Sequence, residues 1–138
     1  MRPYQMYQQV NITTADPLQI VVLLYEGAIK NLNQWLLLTG TDDELASARL
    51  IRTQEIINYL RVSLDHAQGG EIAFNLERLY DYMRDRLNEA NLNRDRDKVQ
   101  EVINLMQTLL EGWHGISNHA GSVAENAPMP TQPVTMVG

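Results

Sequence analysis

The sequence predicts an all-α protein: an antiparallel up-down four-helix bundle between an apolar N-terminal leader and a disordered C-terminal tail. Three observations predict it. Four long stretches repeat apolar residues at three- and four-residue spacing, the period of a helix with one buried face. No segment shows the sustained apolar/polar alternation of a half-buried strand. Proline is confined to positions 3 and 17 until Pro128, Pro130 and Pro133, so nothing breaks the helices from within. The expected organisation is a leader over 1–15, a bundle over 16–120 and a flexible tail over 121–138.

The first helix opens at Asp16-Pro17. Asp16 suits the N-cap, Pro17 suits the first helical position because its missing N–H has no helical partner there, and Gln19 completes a capping pattern. It runs to about Thr39 and stops at Gly40. The second opens at Thr41-Asp42-Asp43-Glu44, a capping box with acids at the positive helix end, and runs to about Ala67 before Gly69-Gly70. The third covers Glu71 to about Leu92, and the fourth about Asp95 to Ala120. Turns this short make neighbours antiparallel. The predicted seams are Leu18, Val22, Tyr25, Ile29, Leu32 and Leu36 on the first helix, and Ala46, Leu50, Ile57, Leu60, Leu64 and Ala67 on the second. The third contributes Ile72, Leu76, Leu79, Met83, Leu87 and Ala90, and the fourth Val99, Ile103, Met106, Leu110, Trp113 and either Ile116 or Ser117.

The 138 residues are enough for one self-sufficient core, since a chain of this size buries roughly two-thirds of its unfolded surface. With no cysteine, disulfide frameworks, thiol catalysis and thiolate metal sites are excluded together. A net charge of −6, from 11 basic and 17 acidic residues, argues against nucleic acid, which needs a basic face. The polar start Met1-Arg2-Pro3-Tyr4-Gln5 has no signal-like apolar core. The longest apolar run, Ile20 to Tyr25, falls far below the roughly 18 residues of a membrane span. Both features point to a cytosolic protein without membrane insertion.

After the seams are filled, apolar residues remain. At 100° per residue Ile20, Leu24, Trp35 and Leu38 fall away from the first helix's seam, with Val21 and Ala28 bridging, so its apolar arc spans about 200°, roughly twice the usual stripe. Ile51, Tyr59 and Val62 repeat the excess on the second helix, and Phe74 lies almost opposite the seam of the third. Either a central helix buries more of itself, or the leader covers it, or the surplus forms a groove for another chain.

Catalytic patterns do not assemble. Glu111-Gly112-Trp113-His114 matches Glu-x-x-His, but di-metal bundles need a second such pair, and Ser63 and Ile116 stand where its glutamate would precede His66 or His119. Asp65-His66 and Asp42-Asp43 suit turns and caps. The reading is a non-enzyme with no metal or cofactor, the alternative being a di-metal or structural four-helix-bundle protein.

Two segments resemble the flagellin-specific export chaperone family FliS. The first is Tyr4-Gln5-Met6-Tyr7-Gln8-Gln9, then Thr14-Ala15-Asp16-Pro17, then Leu23-Leu24-Tyr25-Glu26-Gly27-Ala28-Ile29. The second is Leu64-Asp65, Gly69-Gly70-Glu71-Ile72-Ala73-Phe74-Asn75-Leu76 and Leu79-Tyr80-Asp81-Tyr82-Met83, closed by Arg86-Leu87 and Ala90-Asn91. Val102–Trp113 fits the family's last core helix loosely, and the resemblance covers about residues 3 to 115. It implies a cytosolic bundle that holds the disordered C-terminal segment of flagellin, prevents premature assembly and presents the client to the type III export gate; the sequence leaves the choice between a monomer and a homodimer open. Carried over by position, Ile20, Leu24, Tyr25 and Gly27 line the client groove, joined by the surplus residues Ile51, Val62 and Phe74. Tyr4, Tyr7 and Val10 belong to a cover that also serves gate recognition. Phe74, at a position usually polar or small in the family, and the tail after Gly121 depart from the pattern.

Overall fold

The computed structural model describes the backbone of residues 17–126 and the side chains of 17–116. The described residues form four helices, α1 Pro17–Leu38, α2 Asp43–Val62, α3 His66–Asn93 and α4 Arg96–Asn126. α1 packs against α2 and α4, and α3 packs against the same two, so α1 and α3 lie diagonally across an up-down four-helix bundle. The expected fold class is the one observed.

Local chemistry explains the boundaries. Gly40, at φ 87, makes the left-handed turn after α1 that a side chain resists. Asp42, rather than Thr41, is the N-cap of α2, its carboxylate accepting from the Leu45 N–H at 3.1 Å, while Asp43 accepts from the Gly40 N–H at 2.7 Å. Asp16 and the leader lie outside the described residues.

The largest departure is at the second turn. α2 stops at Val62, not near Ala67, and α3 starts at His66, five residues before the expected Glu71. Asp65 decides this: its carboxylate accepts from the Gln68 N–H at 3.0 Å and caps a new helix at once. Gly70, at φ 54 and ψ −130, then serves as a kink inside α3 instead of a stop before it. Leu64 stays buried in the connection, whereas Ala67 leaves the α2 seam and is exposed. α4 continues past the expected end at Ala120 to Asn126, and the rest of the expected tail lies outside the described residues.

Every other predicted seam residue whose side chain is described is buried or packed against the core, and Ser117 lies outside those side chains. The surplus arc of α1 divides. Val21, Ala28 and Trp35 form a second fully buried row, because α1 has two adjacent neighbours. Trp35, read as lying off the core, is 1% exposed, and its indole N–H donates to Asn91 Oδ1 at 3.2 Å, across the bundle on α3. Asn91 in turn donates to Ser47 Oγ at 2.7 Å, joining three helices through one short polar chain.

Candidate functional site

What remains of the arc after Trp35, Val21 and Ala28 are withdrawn is a row along the α1–α2 seam. Ile20, Leu24 and Gly27 follow one another at i, i+4 and i+7, so they share a face of α1. All three are half-buried, and Ile20 and Leu24 rest against the core edge. The opposing wall is α2. A Cβ placed on Gly27 would lie 3.9 Å from Ile56 Cδ1, and Thr53 Oγ1 donates to the Ala28 carbonyl at 3.3 Å. These contacts show that the Thr53–Ile56 side of α2 faces α1. Tyr59, one turn beyond Ile56, is exposed on the same shoulder.

Tyr25 is corrected from groove lining to core. It is fully buried, its hydroxyl 2.6 Å from the Tyr80 hydroxyl and its ring edge-on to Trp113 with centroids 6.3 Å apart. It fixes the floor under α1 instead of presenting a surface. Ile51 and Val62 are exposed, but they sit on the outward and α3-facing shoulder of α2, which is marked by Ser47, Gln54 and Arg61 reaching toward α3. Phe74 is exposed on α3, diagonal to α1, with the Arg78 guanidinium 5.8 Å from its ring centroid. The structure therefore groups Ile20, Leu24 and Gly27, and separates Ile51, Val62 and Phe74 from them. Tyr4, Tyr7 and Val10 lie outside the described residues.

Two features escaped the sequence reading. Ile56 sits one residue before the Ile57 core position, and only the Gly27 contact assigns it to the seam. A second apolar crevice of about 180 Å³ opens between α3 and α4, lined by Ile72, Leu76, Thr108, Leu109, Gly112, Trp113 and Ile116. Its one hint in the sequence is Gly112, which lines the crevice without a side chain.

Several charged residues form struts between helices. Arg61 on α2 bonds Asp81 at 2.6 Å and Glu77 at 3.1 Å on α3, and Asp81 raises the Arg61 pKa further. On α4, Glu101 accepts from the Tyr82 hydroxyl on one oxygen and from Arg86 on the other at 2.8 and 2.7 Å. The Tyr82 hydrogen bond, with Arg86 behind it, holds the Glu101 carboxyl below its ordinary range despite some desolvation. Among the described residues no three His, Asp or Glu side chains converge as metal ligands. His114 points outward, 3.8 Å from Glu26, and is not directed into the core with Trp113. No described helix is long and apolar enough to cross a membrane.

Fold and surface together define a class: a four-helix bundle whose apolar residues run beyond its core onto an inter-helix seam. Within that class the chain belongs to the FliS family, whose model, described as flagellar protein FliS, matches residues 1–120. It is 38% identical to the flagellar secretion chaperone FliS of Salmonella typhimurium over 83% of this chain and 89% of that one. It is 37% identical to the flagellar secretion chaperone FliSB of Pseudomonas aeruginosa over 86% and 98%, and 31% identical to the FliS chaperone of Bacillus subtilis over 80% and 83%.

Proposed function

We propose that the protein is a cytosolic export chaperone that holds the disordered C-terminal segment of flagellin, keeps it from polymerising early, and delivers it to the flagellar type III export gate. Membership of a family whose named relatives are flagellar secretion chaperones supports the export role. The observation that carries the client reading is the half-buried row Ile20, Leu24 and Gly27 against Ile56, with Tyr59 exposed beside it. An amphipathic helix presents anchors at i, i+3, i+4 and i+7, and such a seam receives them. Gly27 allows the backbone of the incoming segment to approach closely. The α3–α4 crevice supports an extended client that touches the bundle at more than one place.

In this reading Tyr25 positions the seam from below, Ile51, Val62 and Phe74 contact outlying parts of the client or a second copy in a homodimer, and Tyr4, Tyr7 and Val10 cover the seam and address the gate. Titration calorimetry with a flagellin C-terminal peptide tests it. Ile20→Glu places a charge beneath the bound segment, and binding should be lost; Ile20→Ala, which is milder to the fold, should weaken it. Wild-type affinity in both variants removes the seam from the client site.

A further inference from the structure

The seam is not apolar along its whole length. Arg49 lies on α2 at i−4 from Thr53 and i−7 from Ile56, the two residues that face α1, so it occupies the same side about 10 Å along the helix. Its side chain is half-buried, and its Nε is buried without a hydrogen-bond partner. Arg52, Arg61, Arg86, Arg94 and Lys98 pair with carboxylates, and among the described basic side chains Arg49 alone has a donor that is buried without a partner. No acid is available to Arg49 from the facing row of α1, which continues from Gly27 as Asn31 and Gln34. A chain with net charge −6 has thus placed an arginine whose buried Nε has no partner among the described residues in the seam that also carries the apolar row.

Buried donors are ordinarily satisfied, and a planar guanidinium is matched best by a carboxylate taken in bidentate fashion. We infer that Arg49 binds a carboxylate of the bound chain, so that the α1–α2 seam selects an amphipathic helix carrying Asp or Glu about two turns from its apolar anchors. The inference rests on the client reading above and adds its register: the apolar anchors sit over Ile20, Leu24 and Ile56, and the acid lies toward the α2 N-terminal end. Arg rather than Lys is the fitting residue, because the fork holds a helix in one rotation as well as one position.

The test uses the full chain and a fluorescent flagellin C-terminal peptide, with a series in which each peptide Asp or Glu is changed to Asn or Gln. Arg49→Gln should weaken binding about tenfold at low salt, with the difference narrowing as salt is raised. One neutralised peptide should lose the same factor against the wild-type chaperone and nothing further against Arg49→Gln. Arg49→Lys should recover part of the loss. Equal binding by wild type and Arg49→Gln, or an equal loss for every peptide in the series, overturns the inference, since Arg49 then acts through water or packing. If Arg49→Gln does not fold, the peptide series against wild type decides alone: no acid-sensitive position means no carboxylate contact. Failure of Ile20→Glu to alter binding, or no binding by wild type, sinks the client reading itself.

Discussion

Single side chains in this protein divide sharply by depth. Met106 is fully buried on α4 and Leu76 is 6% exposed on α3, whereas Val62 is 59% exposed. Truncating a buried side chain forfeits its transfer energy and leaves a cavity, so Met106→Ala and Leu76→Ala should each cost about 2–5 kcal/mol. Leu76 belongs at the low end because it borders the α3–α4 crevice and loses fewer contacts. Val62→Ser should stay within about 0.5 kcal/mol, as exposed substitutions do. Urea denaturation of the three variants measures all of this, and a Met106→Ala protein as stable as Val62→Ser would refute the core assignment. Charge gives a second residue-scale expectation. The Glu101 carboxyl is held below its ordinary value of 4.5 in the folded chain, chiefly by the Tyr82 hydroxyl. Its contribution to stability is therefore complete above about pH 4.5 and is lost as pH falls through the lower folded value. Glu101→Gln should melt lower than wild type near neutrality, and the gap should close on acidification; a gap constant with pH would show that Glu101 acts through shape alone.

At the scale of the element, α3 is the informative case, because two rules competed for the six residues Asp65 to Gly70. Gly69-Gly70 is a strong breaker, and by itself it marks a stop. Asp65 is a strong N-cap, and with its carboxylate on the Gln68 N–H it starts a helix before the breaker is reached. Both act, and the outcome is a kinked helix with Gly70 at φ 54. A side chain at Gly70 meets no neighbour but must adopt the left-handed region, so Gly70→Ala should destabilise by about 1–2 kcal/mol. Gly115 is also open, but it lies in ordinary helix, where alanine is the better helix former. Gly115→Ala should therefore be neutral or stabilising by up to about 1 kcal/mol. Thermal melts of the pair distinguish conformational strain from crowding, because neither site is crowded; a Gly70→Ala protein no less stable than Gly115→Ala would show that the kink carries no strain.

At the scale of the molecule, the two faces of α1 do different work. The Val21–Ala28–Trp35 row closes the bundle, and the Ile20–Leu24–Gly27 row stays half-open beside Ile56. A leader carrying Tyr4, Met6, Tyr7, Val10 and Ile12 directly precedes that helix in sequence. We expect it to compete with the client for the seam. A cover in place about nine-tenths of the time weakens apparent affinity about tenfold, by the open fraction alone. Deleting residues 1–13, which spares Asp16 and Pro17, should tighten flagellin-peptide binding severalfold and raise self-association in sedimentation. Weaker binding after deletion would instead make the leader part of the client site.

The fold was legible because its signals are local. Helical period, Asp and Gly at the ends, and turns too short for anything but antiparallel neighbours are all readable within a few residues, and they name a four-helix bundle and most of its core. The motif residues from Tyr4 to Met83 carried the family as well, and the FliS match over residues 1–120 agrees with them. The division of the apolar surplus was beyond reach. Trp35 and Ile20 are both apolar and both off the first seam, yet one is sealed and the other half-open. Which is which depends on where α2 and α4 sit around α1, and on Asn91 arriving from the far helix to meet the Trp35 indole. Arg49 is the same kind of case: its position in the sequence says only that it is charged. Burial and pairing are properties of neighbours distant in sequence, so only the packed bundle could show that its Nε is buried in the seam with no partner among the described residues.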